Sequence, residues 1–351
     1  MSTEAASLGG LRGGLSDARF VAVVRFALGT TAAVAVAFGF AWPMGFLTPV
    51  LVAKLLGTPG FRPSLAVGAS MLGTMAVGLG LGLAIALPLN AYPAVQLLVV
   101  GIVLFRIFHA SASGAPAFGV TMMLVGVTVL PLVVMESSAL AVDFAGGFLL
   151  LGAAAMALAG IAHGLLPDPP GGALPAPAEV AERDPALQVR QAVISTAVVL
   201  PLLLFVFALK LTDSVLVLAF VAIMAQQPGL RQGVRSGLAL LVGNALGGLA
   251  ALVGYELLVI VPTFGFLLAL MLLAAMRCGA RLFSGDPRAP LWAMAFSTFL
   301  ILLGGSTAPS GGEADVSFYS RMFQIFLSAI YIVGAFAALE PWAGGRGERD
   351  G

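Results

Sequence analysis

The chain has 351 residues, of which 60% are hydrophobic and 9% charged, with a mean hydropathy of +1.06 and a net charge of +1. A soluble domain carries roughly 25% charged residues, so this composition excludes a soluble globular protein, and the near-neutral charge excludes a basic surface for nucleic acid. A single cysteine, Cys278, excludes an internal disulfide.

Residues 1–18 are polar and Gly-rich and read as a cytoplasmic tail. Arg19 then leads straight into a long apolar segment with no cleavage site behind it, which reads as an uncleaved first span. Apolar segments follow at about 19–41, 44–57, 63–88, 93–109, 116–135 and 141–165. A bilayer core needs about 20 helical residues. The second segment is short for that, and Pro43, Pro49 and Pro59 surround it, so a broken or half-length helix is expected there. Residues 167–189 hold Pro167, Pro169, Pro170, Pro175, Pro177 and Pro185 and most charges of the middle region, the composition of a solvated linker. The second half gives segments at about 190–209, 212–225, 231–256, 258–276, 289–305 and 317–341, and residues 343–351 form a polar tail. The runs exceed the ~10-residue strands of a membrane barrel. The expected fold is an all-α polytopic membrane protein of about 12 transmembrane segments, in two repeats at 19–166 and 190–342.

The repeat is legible in three blocks. RFALGTTAAV from Arg25 matches RQAVISTAVV from Arg190. PGFRPSLAVGAS from Pro59 matches PGLRQGVRSGLA from Pro228, with Arg62 on Arg231 and Gly78 on Gly247. Arg106, Ser113, Gly114 and Pro116 fall on Arg277, Ser284, Gly285 and Pro287. In the middle block small residues recur every fourth position: Ser70, Thr74, Gly78 and Gly82, then Ala239, Gly243, Gly247 and Ala251. Such ladders let membrane helices approach closely, so Thr74, Gly78, Gly243 and Gly247 are expected at helix contacts.

Twelve crossings from a cytoplasmic N-terminus leave 17 lysines and arginines on or near the cytoplasmic side except Lys210 and Arg321, as the positive-inside rule requires. Both termini and the linker are then cytoplasmic. Six spans per half keep the matched arginines on one side, which predicts parallel repeats about an axis along the membrane normal.

The polar residues in the spans point to solute binding rather than to bond-making chemistry. Arg25 and Arg190 lie inside the first helix of each half, and Arg106 and Arg277 near the inner end of the fourth. A guanidinium in a span is costly and marks a site or a partner, and its planar fork suits a carboxylate; the alternative is that these side chains snorkel to the headgroups. Gln226 and Gln227 precede the second Pro-Gly turn, and Asn244 lies in the ladder helix; such amides bind substrate or join helices. Asp213, Glu256 and His109 are candidates for proton coupling, and His109 shares a helix face with Arg106. The alternatives are loop-edge carboxylates and a polar helix cap, and His163 reads as interfacial. Two histidines and one cysteine form no metal or catalytic cluster, and no phosphate-binding loop is present, so neither an enzyme nor a cofactor is expected.

The early Arg of RFALGT, the P-G-x-R turn into a Gly-rich third helix and the SG-x-P turn after the fourth, all within a duplicated six-span unit, resemble the fusaric-acid-resistance-like superfamily, which includes the aromatic acid exporters of the bacterial inner membrane. The resemblance covers about 19–165 and 190–341. The sequence departs from larger members, which carry a sizeable cytoplasmic domain where this chain has only the Pro-rich linker. The resemblance implies proton-driven export of small aromatic carboxylates or related toxic compounds, in concert with a periplasmic membrane-fusion adaptor. A channel or transporter for another anion, and a non-transporting membrane scaffold, are the competing readings.

Overall fold

The structure is a computed structural model that describes residues 17–169, 184–209, 215–226, 234–306 and 314–343. Among these residues there are helices and turns and no strand. The helices are α1 (Ala18–Gly39), α2 (Leu47–Leu56), α3 (Leu65–Leu89), α4 (Pro93–Ala112), α5 (Ala117–Glu136), α6 (Ser138–Leu165), α7 (Pro185–Ala208), α8 (Val215–Ala225), α9 (Val234–Ile260), α10 (Phe264–Leu282), α11 (Ala289–Ser306) and α12 (Ala314–Ala343). Nine of them, among the described residues, are long and apolar enough to cross a membrane. The protein is therefore an all-α polytopic membrane protein. At about 1.5 Å per residue, the 10 residues of α2 and the 11 of α8 cover only about half of a ~30 Å hydrocarbon core.

The ends of the elements repeat as the sequence does. Asp17 and Asp184 cap α1 and α7, accepting hydrogen bonds from the backbone N–H of Arg19 at 2.9 Å and of Ala186 at 3.0 Å. Gly114 and Gly285 close α4 and α10 at φ of 93° and 78°, a left-handed backbone that glycine adopts without a Cβ clash. Large apolar side chains stand exposed along the spans, for example Val77 on α3, Leu98 and Ile102 on α4, and Leu249 and Val253 on α9. That surface is stable against lipid tails and not against water. In contrast, α5 is buried nearly all round.

The helices gather into two compact units that do not coincide with the sequence halves. The first takes α1, α2, α6 from Leu150, α9 from Gly243, α10, α11 and the start of α12. The second takes α3 from Ala69, α4, α5, the start of α6, α7, α8, the start of α9, and α12 from Met322. Within the first unit α1 packs on α2 and α10, and α11 on α2 and α10; within the second α7 packs on α8 and α4, and α5 on α8 and α4. Adding six to each helix number converts one set of pairings into the other. Each unit thus joins helices one and two of one half to helices four and five of the other.

The small-residue ladders sit at the closest approaches. In the second unit a Cβ on Gly78 would lie 2.7 Å from the carbonyl carbon and oxygen of Met122 on α5. One turn on, Gly82 lies against the Gly126 carbonyl, and Thr74 against Gly119. In the first unit Gly243 meets Met294 of α11, and Gly247 meets the Ala295 carbonyl and Thr298. Helix three of each half therefore abuts helix five of the same half, backbone against backbone.

Contacts within the first unit also fix which helix ends lie together. The end of α2 at Gly57 lies beside Phe26 and Leu282, the end of α10 at Gly279 beside Val23 and Phe26, and the end of α6 is bonded to Arg25. The start of α2 at Phe46 lies instead with the end of α11, beside Phe38 of α1. The end of α6 thus lies beside the first turns of α1. α2 therefore runs antiparallel to α1, its start beside the end of α1 and its end beside the start.

Candidate functional site

A buried arginine organises the polar end of the first unit. Arg25 stands two turns into α1 and is 6% exposed. Its Nη1 donates to Asp168 Oδ1 at 2.8 Å and to the Leu166 carbonyl at 3.0 Å. Leu166 directly follows α6, so its carbonyl is one of those a helix end leaves without an intrahelical partner, and the cation also meets the negative pole of that helix. Arg25 Nε is buried with no partner. A guanidinium with a free N–H in a low-dielectric setting is a strong donor for an anion.

The groups around it come from three directions. His163, near the end of α6, places Nδ1 3.0 Å from the Ala159 carbonyl. Phe61, on the loop after α2, packs edge-on against the His163 ring at 5.8 Å. The Pro59-Gly60 turn that delivers it needs Gly60 at φ 76°. Phe283, just past α10, packs edge-on to Phe26 at 6.1 Å. Arg25, Phe61, Arg62, His163, Asp168 and Phe283 together line a small open cleft with an internal volume of about 20 Å³, room for about one water. It offers two guanidiniums, one carboxylate, one imidazole and aromatic walls.

The other sequence-predicted residues are distributed differently. Arg190 is half-buried near the start of α7, belongs to the second unit and has interaction partners. Arg106 and Arg277 are exposed on α4 and α10. His109 is half-buried, its ring 6.2 Å from that of Phe105. Glu256 is exposed and accepts a hydrogen bond from Tyr319 Oη at 3.0 Å. Gln226 is buried and its Nε2 donates to Thr121 Oγ1 at 2.6 Å, joining the end of α8 to α5. Thr298 Oγ1 donates to Asn244 Oδ1 at 2.7 Å, joining α11 to α9. Asp213 and Gln227 lie outside the described residues.

Residues 22–161 match a family model. It is the family described as a protein of unknown function, DUF2955. The matched stretch runs from α1, with Arg25, to the last turns of α6 and ends before His163 and Asp168. No curated protein and no solved structure matches the chain.

Sequence reading passed over Asp168, Phe61 and His163 as members of the Arg25 site. A signal existed for Asp168. A buried arginine needs a carboxylate at its own depth, and Asp168 is the only one between Asp143 and Glu179, the stretch where the end of α6 meets Arg25. No comparable signal marks Phe61, one of 23 phenylalanines.

Proposed function

We propose that the protein is a secondary transporter of the bacterial inner membrane that exports small organic anions, aromatic carboxylates first among them. The observation that carries this reading is the cleft at Arg25, which a buried guanidinium lines together with Phe61 and Phe283. A carboxylate answers the guanidinium and an aromatic ring answers the walls. The resemblance to aromatic acid exporters points the same way and adds proton coupling and a periplasmic adaptor as partner. The inside-negative membrane potential itself favours outward movement of an anion, by about 2.3 kcal/mol per charge per 100 mV. Both termini on the cytoplasmic side, with parallel halves, fit the cation distribution.

The test is flux from proteoliposomes holding the purified full chain. Benzoate, 4-hydroxybenzoate and cinnamate are expected to leave faster than from empty liposomes. Flux of sulfate or chloride without flux of the aromatic acids would support the inorganic-anion reading instead. Absence of flux for every solute favours the scaffold.

A further inference from the structure

The Arg25–Asp168 pair is asymmetric: the arginine side chain is 8% exposed and the aspartate 29%. The cation is fixed on α1 in the interior of the first unit. The anion lies on the non-helical stretch 166–169 just past α6, between Pro167 and Pro169. It holds the guanidinium through Nη1, while Nε stays unpartnered. A bidentate carboxylate would engage Nε together with a terminal nitrogen, a better fit to the fork than Asp168 achieves.

Resting on the exporter reading above, we infer that Asp168 is a tethered internal anion: it occupies Arg25 while the cleft is empty, and the substrate carboxylate displaces it. The remaining charged or titratable groups lining the cleft are Arg62 and His163, and neither is a second carboxylate. Asp168 is therefore the one lining group that competes with an anionic ligand. Displacement frees the stretch 166–169, whose two proline rings hold it stiff, so occupancy of the cleft is converted into movement at the start of the linker. Asp168 also keeps the buried guanidinium neutralised between transport cycles, which excludes small inorganic anions that cannot outcompete it.

Two measurements test this. The first is benzoate binding by calorimetry to the purified full chain, with folding checked by thermal melting. Asp168→Asn is expected to bind benzoate at least tenfold more tightly than the wild type, whereas Arg25→Gln and the double variant Arg25→Gln/Asp168→Asn bind it roughly 10- to 150-fold more weakly. The second keeps Asp168 in place: in a Cys278→Ser background, a Pro169→Cys residue should react with a maleimide several-fold faster when benzoate is present. If the wild type binds benzoate but Asp168→Asn binds it equally or more weakly, or benzoate leaves labelling at position 169 unchanged, the displacement inference is overturned and the exporter reading stands. If the wild type neither binds nor transports any aromatic acid, the exporter reading fails and takes this inference with it.

Discussion

Arg25 and Arg190 stand at matching points of a repeated block, yet the two units treat them differently. In the first unit the arginine is buried, ion-paired to Asp168 and opens on a cleft. In the second unit Arg190 is half-buried, and the neighbouring helix ends are joined by neutral bonds: Ser113 Oγ to Gln188 at 2.9 Å, Ser195 Oγ to the Ala225 carbonyl at 3.0 Å, and Gln226 to Thr121. Thr30, the counterpart of Ser195, spends its hydroxyl on its own helix, at the Phe26 carbonyl. A duplicated scaffold has thus kept its packing in both copies. Neutral interhelical bonds in membranes are worth about 0.6 kcal/mol each and serve cohesion; a buried charge costs far more and persists where it has a use.

The most damaging change should strike what the two copies share. Gly82→Leu drives a side chain into the Gly126 carbonyl, and Gly247→Leu into the Ala295 carbonyl. Overpacking costs about 1–3 kcal/mol even where side chains can yield, and backbone cannot yield. Both variants should lose most of their folded yield in size-exclusion profiles. Gly80→Leu, on the same helix with open space around it, should melt as the wild type does. Equal tolerance of all three would mean that the ladders do not hold the helices together.

The next effect should separate the copies. Arg25→Gln removes a charge-assisted bond worth about 1.5–3 kcal/mol, so substrate binding should weaken roughly 10- to 150-fold. Arg25→Lys keeps the charge and loses the fork, and should fall between. Arg190→Gln should reduce transport less than Arg25→Gln, at equal protein in the membrane. Indistinguishable losses at both positions would show that the units share the binding task and would erase the comparison.

The smallest effect is expected at the neutral glue of the second unit. Gln226→Met gives up one bond of about 0.6 kcal/mol and also removes a buried Oε1 that has no partner. Thr121 remains satisfied, because its hydroxyl donates to the Ala117 carbonyl at 2.8 Å. Thermal stability should change by less than about 1 kcal/mol and flux hardly at all. A transport defect here would move the site into the second unit.

Composition alone established a helical membrane protein, since charged side chains at 9% cannot cover a water-facing surface. Periodicity and self-similarity placed the elements, the short second helix and the small-residue ladders, because each depends on residues near one another in sequence. The Arg25 position was also legible, as a charge inside an apolar run stands out. Which helices would pack together was not. The units interleave the halves, pairing α1 with α10 and α7 with α4, and local pattern carries no information about partners in a medium where every apolar face is equally content against lipid. For the same reason Phe61, His163, Asp168 and Phe283, spread over more than 200 residues of chain, became neighbours of Arg25 only when tertiary packing brought the ends of α1, α2, α6 and α10 together.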